Sequence, residues 1–213
     1  MKKVVYYQME LATESEIVGT YPQVDVPKHY FKIPDNFETL SLRSFPEVNP
    51  NLENFIFKRV AKRTDVLSSH MLHSSIGVFI DKKFKDLIEN FCVKNFQFYD
   101  CTLIAADKGF EAQLAENPYF FLHLIYANEV LDFSQSVFEN LKTDERVTID
   151  NEEQRAPFLR PVKLFLKETP DLFRSPFNIA LLVSESLKQA MEKAAISGVW
   201  FEEFKGNEFY SAE

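Results

Sequence analysis

The apolar positions of two stretches follow the same pattern. "VFIDKKFKDLIENFCVKNFQF" begins at Val78 and "LLVSESLKQAMEKAAISGVWF" begins at Leu181, and the two align without a gap when Asp81 is placed on Ser184. In each stretch a short apolar run precedes a polar residue, apolar residues then recur at helical spacing, and a second extended segment follows. The pattern predicts two related units, each made of a strand, a helix and a strand.

The polar residue at the start of each predicted helix is an N-cap candidate. The Asp81 carboxylate and the Ser184 hydroxyl are both able to accept a hydrogen bond from a backbone N–H of the first helical turn. Gly198 stands where a left-handed residue would follow the second helix, and Asn95 offers a turn after the first. The predicted helical stripes are Phe84, Leu87, Ile88 and Phe91 in the first unit and Leu187, Ala190, Met191 and Ala194 in the second. Every repeated feature concerns packing or capping, so we interpret the repeat as scaffold.

The rest of the chain reads mainly as strands. Extended segments are predicted at residues 4–9, 30–33, 55–60, 76–80, 101–105, 119–127 and 178–183, with a further strand near Leu131 and Phe133. In "RPVKLFLKE" the apolar residues alternate with lysines, which indicates a half-exposed strand. Residues 169–176 are predicted to be turn-rich. The fold class is therefore α+β, with mixed or antiparallel sheets on which the two related units pack.

The first 65 residues differ in composition from the rest. Five prolines (Pro22, Pro27, Pro34, Pro46 and Pro50) fall before residue 51, and proline disfavours long regular elements. We expect a proline-rich portion of short strands and loops over residues 1–65 and an α+β domain over residues 66–213, joined in one compact unit. The stretch "PDNFETLSLRSFPEVNPN" is either a loop packed by its Phe residues or an arm that faces a partner.

Composition and charge exclude several classes of protein. The 22 Phe among 213 residues predict a large aromatic core and argue against global disorder. The net charge of −8 disfavours general nucleic-acid binding and permits a basic partner. Two Cys without CxxC spacing suggest a reducing compartment. The N-terminus lacks the apolar core of a signal peptide, and no apolar run is long enough for a membrane helix, so we expect a cytoplasmic protein.

Few residues suggest catalysis. His70 and His73 in "SSHMLHSS" are spaced for one face of a helix and are either part of a metal site or two exposed, hydrogen-bonding histidines. His123 lies in an apolar run and is predicted to be a core histidine with one bonded nitrogen. Cys92 aligns with Ala195 in the repeat, which favours a structural role, and Cys101 lies in an apolar segment. No GxSxG, Walker-type or dinucleotide motif is present, and no cofactor is predicted.

Acidic residues are dense between residues 129 and 153. Three interpretations remain open: paired carboxylates for general acid–base catalysis, an ordinary solvated loop, or a surface that meets a basic partner. The last predicts partner-binding roles for Asp132, Glu139, Asp144, Glu145, Asp150, Glu152 and Glu153, beside Glu129.

The segments "YANEVLDFSQSVFE" and "LFRSPFNIALLVSESLKQAMEKAAISGVWFEEF" resemble the Imm11 family of bacterial immunity proteins. The resemblance is clearest from about residue 75 to 204 and is weaker before that. The residues that carry it are Asn128 with Leu131, Asp132 and Ser136; Phe173 and Arg174; Val183 and Ser184 with Leu187 and Lys188; and Gly198 and Val199 with Phe201.

The resemblance implies an immunity protein of a polymorphic toxin or contact-dependent system, such as type VI secretion. Such a protein binds a cognate toxin effector, for instance a basic nuclease domain, and blocks it. The family brings no catalytic residues, so the chain is not expected to be an enzyme. The alternatives are an enzyme with a metal or acid–base site that has no familiar motif, and a regulatory interaction module.

Overall fold

The computed structural model describes residues 1–25, 40–69, 76–106 and 111–212. Within them the first strands are β1 (Lys2–Val4), β2 (Tyr6–Leu11), β3 (Val24–Asp25), β4 (Phe55–Phe57), β5 (Val66–Leu67), β6 (Gly77–Asp81), β7 (Phe96–Asp100) and β8 (Leu103–Ala105). The later strands are β9 (Tyr119–Leu124), β10 (Leu131–Asn140), β11 (Arg146–Val147), β12 (Leu159–Leu166), β13 (Leu172–Arg174), β14 (Leu181–Ser184), β15 (Val199–Glu203) and β16 (Glu208–Ser211). The helices are α1 (Ser15–Val18), α2 (Lys82–Ile88), α3 (Glu111–Glu116) and α4 (Glu185–Lys193), with 3-10 turns at Asn128–Val130 and Glu152–Gln154.

The strands of the described residues form four sheets. Sheet A has the order β1-β16-β12-β10-β11, sheet B β13-β14-β2-β15, sheet C β3-β4-β8 and sheet D β5-β6-β9-β7. Among the strand pairs that the structure describes, β12–β16 and β4–β8 are parallel and the others are antiparallel. Mixed and antiparallel sheets with a few short helices confirm the predicted α+β class.

Sheets B and D are built alike. We define the first unit as β6, α2 and β7 and the second unit as β14, α4 and β15. In both sheets a strand from elsewhere in the chain lies between the two strands of the unit, β9 in sheet D and β2 in sheet B. The registers correspond, since Phe79 lies opposite Phe121 and its aligned residue Leu182 lies opposite Gln8.

The predicted helix caps are confirmed. The Asp81 carboxylate accepts a hydrogen bond from Phe84 N at 2.9 Å, and the Ser184 hydroxyl accepts one from Leu187 N at 3.1 Å. Each bond satisfies an N–H of the first turn that has no partner within the helix. Gly198 has a positive φ of 89°, but the left-handed residue directly after α4 is Ala195, with φ 50°.

Three clusters of buried side chains form the core. One cluster joins α2 and α4 to sheets B and D, through Phe84 and Ile88 on α2 and Leu187 and Met191 on α4. A second lies between sheets A and B, and a third packs residues of sheet C and the segment 40–57 against sheet D. Phe rings contribute to all three, as their number predicts.

Several predicted boundaries were wrong. The opening segment is divided at Val5, because β1 pairs in sheet A and β2 in sheet B. The strand predicted at 119–127 ends at Leu124, and β10 is much longer than the two residues that suggested it. The predicted turn at 169–176 contains β13, all three residues of which are buried because they pair with β14.

Some predictions concern residues outside the described part of the chain. His70, His73 and the strand expected at 30–33 lie there. The boundary near residue 65 stays a prediction; β1 and β2, from the first portion, pair with strands from the second.

Candidate interaction surface

The seven predicted partner-binding carboxylates lie on β10 and on the loops at its end. Asp132 and Glu139 are on β10, and Asp144 and Glu145 are in the turn that leads to β11. The other three lie in the loop between β11 and β12: Asp150, Glu152 and Glu153. They therefore follow one edge of sheet A, where β11 is the outermost strand.

Asp132 shapes a bulge in its own strand. Its carboxylate accepts hydrogen bonds from Ser134 Oγ at 2.6 Å and Gln135 Nε2 at 2.7 Å. The hydrogen bond from Ser134 is the main cause of the lowered pKa of Asp132. The pairing of β10 with β12 shifts register between Asp132 and Val137, so the carboxylate has a structural task at that irregularity.

Three other carboxylates also have local partners. Glu139 forms an ion pair with Arg160, the residue opposite it on β12. Glu145 accepts a hydrogen bond from Thr143 Oγ1 at 3.1 Å, and Asp150 accepts one from Gln154 Nε2 at 3.2 Å. These contacts are at the surface, where each is worth little.

Five of the seven carboxylates are exposed, and apart from Asp150 these lie in the turn after β10 and in the 3-10 turn: Asp144, Glu145, Glu152 and Glu153. We call these four the acidic edge. Leu141, 54% exposed, stands in the same turn as Asp144, and the Lys142 ammonium lies 4.2 Å from the centre of the Phe158 ring. In water such carboxylates act mainly on the approach of a charged partner.

A second surface, on sheet B, was missed from the sequence. Trp200, the single Trp of the chain, is 44% exposed on β15. Its neighbour across the sheet is Glu10 of β2, and Glu202 lies opposite Gln8 in the same register. The alternation in "VWFEE" contains the signal, because Val199 and Phe201 pack into the core and leave Trp200 and Glu202 on the other face.

A buried arginine was also missed. Arg174, on β13, is fully buried; its Nε donates to Leu124 O at 2.9 Å and its Nη1 to Ile179 O at 2.5 Å. Its Nη2 meets no hydrogen-bond partner among the described residues. Burial lowers the pKa of Arg174 to about 10, so the guanidinium stays charged at neutral pH. The side chain ties the end of β9 to the turn before β14, and no local sequence pattern indicated its burial.

Comparison with protein families supplies the identity of the chain. A model of the immunity protein family Imm11 matches residues 4–206. The chain belongs to the Imm11 family. The match begins before β2, so it includes the N-terminal portion, where the resemblance seen in the sequence was weaker. A search among curated proteins finds no match.

The predicted core histidine of this Imm11 protein is confirmed. His123 is fully buried, and its Nε2 lies 2.7 Å from Ser41 O. Since a carbonyl only accepts, Nε2 carries the proton; Nδ1 meets no hydrogen-bond partner within the described part of the chain. Burial lowers the pKa of His123, so the ring is neutral at neutral pH.

The two thiols of this Imm11 protein differ in environment. Cys92 is exposed, and its backbone N–H donates to the Asp171 carboxylate at 3.0 Å. Cys101 Sγ donates to Tyr119 O at 3.0 Å, and burial raises the pKa of its thiol to about 12. A thiol with so high a pKa is a poor nucleophile.

The described residues contain no group of three or more His, Cys, Asp or Glu side chains that could hold a metal ion. No described helix has both the length and the apolar character that crossing a membrane requires.

Proposed function

We propose that this protein neutralises a cognate bacterial toxin effector by binding it through a protein–protein interface in the cytoplasm. Membership of the Imm11 immunity family, over residues 4–206, is the observation that carries the proposal. The partner that fits best is a basic toxin domain, such as a nuclease of a polymorphic or type VI secretion system, because the chain has a net charge of −8.

The acidic edge is our proposed region of first approach. Exposed carboxylates attract a basic surface over about one Debye length, roughly 8 Å at physiological salt, and so raise the association rate more than the final affinity. Asp132, Glu139 and Asp150 belong to the same proposed surface, and each of them, like Glu145, also has a local partner. A stable complex would bury about 1,200–2,000 Å² in total.

Co-purification tests the proposal. The polypeptide encoded by the neighbouring gene, made catalytically weak, is produced with the tagged chain, and growth is followed with the active toxin. We expect a stoichiometric complex, and growth only when this chain is present. Loss of the complex, or equal growth without the chain, would remove the proposal.

Charge reversal tests the acidic edge itself. Asp144→Lys with Glu145→Lys, Glu152→Lys and Glu153→Lys should slow association about tenfold or more at low salt. The matched control reverses four exposed carboxylates elsewhere in the chain, so that both variants change the net charge equally: Glu16→Lys, Glu47→Lys, Glu53→Lys and Glu116→Lys. Equal association rates for both variants would exclude the acidic edge.

We further propose that the chain acts by binding the toxin and not by catalysis. Full protection then requires at least one copy of this chain for each toxin molecule. A metal assay with His70→Ala and His73→Ala tests the enzymatic alternative, which requires bound metal and lost protection. A neighbouring gene that encodes no toxin would favour the regulatory alternative.

The two units are, in our proposal, related scaffold pieces within a single folding unit that spans the boundary near residue 65. Reciprocal contacts support this. The Asp65 carboxylate accepts from Ser197 N, just before β15, at 2.7 Å, and the Asp171 carboxylate accepts from Cys92 N, just before β7, at 3.0 Å.

A further inference from the structure

The outer face of the β2–β15 pair combines a large exposed aromatic ring with carboxylates. Trp200 points away from α4, because its neighbours Val199 and Phe201 pack in the cluster that contains α4. Glu10 lies directly across from Trp200, and Glu202 is two residues further along β15 on the same face. Single exposed apolar residues are common on protein surfaces, so the exposure of Trp200 alone does not indicate a binding role. The residues around the ring are the further evidence.

The equivalent face of the first unit shows what a covered face looks like. There Gln97 lies opposite His123 and Tyr99 opposite Phe121. Tyr99 and Phe121 are buried in the cluster that contains Leu52 of the segment 40–57, and His123 bonds to the backbone of that segment. At the corresponding places the second unit has polar side chains, Glu10, Gln8 and Glu202.

This difference identifies the outer face of the β2–β15 pair as exposed to water, whereas Leu182 of β14, on the same side of sheet B, is buried between sheets A and B. Glu10, Gln8 and Glu202 are polar, so this face is not suited to a buried core. A large aromatic side chain such as Trp200 is, in turn, unusual on a face that is otherwise polar. Trp is enriched among the residues that dominate binding energy in protein interfaces, typically in a central position with polar neighbours around it.

The charges indicate the chemistry of the occupant. Among the ion pairs of the described residues none involves Glu10 or Glu202. The Glu10 carboxylate accepts a hydrogen bond from the neutral side-chain amide of Gln8. An indole face attracts a Lys ammonium or an Arg guanidinium, and a carboxylate beside it accepts the cation's N–H groups. A ring with two such carboxylates is complementary to a basic side chain.

We propose that Trp200, Glu10 and Glu202 form the docking point for a basic surface of the cognate toxin, with an Arg or Lys side chain laid against the indole. This inference rests on the proposed immunity function and assigns its central contact. The acidic edge on sheet A accelerates the encounter, and the Trp200 face slows dissociation.

The single Trp allows a direct test. The chain is labelled with 5-fluorotryptophan, which gives one fluorine resonance, from residue 200, and is titrated with the unlabelled, catalytically weakened toxin domain encoded beside it. We expect the resonance to shift at saturation. Wild-type chain that forms no complex would overturn the immunity function together with this docking point. A complex in which the resonance stays unchanged would overturn the docking point alone.

Variants separate this face from the acidic edge. Trp200→Ala should weaken toxin binding roughly 30-fold, as for an interface hot spot, and mainly by faster dissociation. Leu141→Ala is the comparison variant, because it removes a similarly exposed apolar side chain that stands beside the acidic edge and is not part of it, and it should change affinity less than about twofold. Glu10→Lys with Glu202→Lys should weaken binding at least as much as Trp200→Ala.

Trp200 and Leu141 are both exposed, so both variants are expected to fold, which circular dichroism and thermal melting check. Equal affinities of Trp200→Ala and wild type, or a larger loss for Leu141→Ala, would overturn the docking point and move the central contact to the acidic edge.

Discussion

The first and second units have the same strand order and the same register, yet their outer faces differ. On the helix side the correspondence extends to single contacts: the Lys85 ammonium lies 5.0 Å from the Phe120 ring centre, and its counterpart Lys188 lies 4.6 Å from that of Tyr7. On the outer side, the segment 40–57 covers the first unit and the second presents Trp200. On the outer side of the second unit, Leu182 of β14 is buried against sheet A, and the exposed part is the β2–β15 end that carries Trp200.

The largest expected effect concerns the strand that borders each unit. β5 borders the first unit and β13 borders the second, and Ser68 and Arg174 occupy corresponding positions there. Ser68 donates its hydroxyl to Gln23, whereas Arg174 is a large buried cation. Arg174→Ala should cost about 3–5 kcal/mol of unfolding free energy, because it leaves Leu124 O and Ile179 O without their donor and opens a cavity.

Urea unfolding measures this cost. Arg155→Ala is the control, since exposed Arg155 also donates to a backbone carbonyl, Pro176 O, and should lose about 1 kcal/mol or less. A loss at Arg174 no larger than that of the control would contradict the structural role.

A smaller effect is expected where the chain enters the second strand of each unit. Asn95 has φ 51° and the aligned Gly198 has φ 89°. Gly198→Asn, which copies the first unit, should destabilise the fold by about 2–3 kcal/mol, because a Cβ there would lie 2.1 Å from Val66 O.

Asn95→Gly is the reverse exchange. It removes the hydrogen bonds from Asn95 Nδ2 to Tyr126 O and to the Glu129 carboxylate and should cost about 1 kcal/mol. Thermal melting compares the two variants. Equal losses would show that the two positions are more alike than their backbones indicate.

The two N-cap residues, Asp81 and Ser184, predict that the two units differ in how their contribution to stability depends on pH. Ser184 donates its hydroxyl to Asp171 at 2.6 Å, but the aligned Asp81 faces the carboxylate of Asp65. Burial, and then the charge of Asp65, raise the pKa of Asp81 to about 6. Since this pKa is higher in the folded than in the unfolded chain, the stability due to Asp81 is greatest below about pH 4 and is lost as the pH rises through about 6.

Asp81→Ser should therefore stabilise the protein above pH 7 by about 1 kcal/mol, after allowance for solvent screening, and should keep the helix cap. Urea unfolding at pH 5 and pH 8 measures the change. Ser184→Asp should have the opposite sign. A variant that is less stable than wild type at pH 8 would contradict the assigned repulsion between Asp81 and Asp65.

The smallest effect is expected on the helix side, where a lysine of each unit contacts an equivalent aromatic ring. Lys85→Gln and Lys188→Gln each remove a cation from an aromatic face and should each cost about 0.5–1 kcal/mol. Chemical denaturation of both variants tests the equivalence of the helix sides. A loss of stability at one position more than twice the loss at the other would contradict that equivalence.

Sequence patterns found the local features of the fold. Asp81 and Ser184 as caps, the buried stripes of α2 and α4, and the core position of His123 all depend on residues within a few positions of one another or on a single apolar run. For the candidate site, the density of acidic residues predicted seven partner-binding carboxylates, and their role stays a prediction. The ion pair of Glu139 and the bulge at Asp132 could not be predicted, because they depend on β12 and on strand register.

The sequence by itself determined the α+β class, the aromatic core and the two capped helices, because capping and amphipathic periodicity act over one or two turns. The tertiary structure alone decided that β2 lies between β14 and β15, that Arg174 is buried and that Trp200 is left uncovered. These features follow from strand pairing between distant parts of the chain, and such pairing is set by which faces are buried together, which no local pattern of residues records.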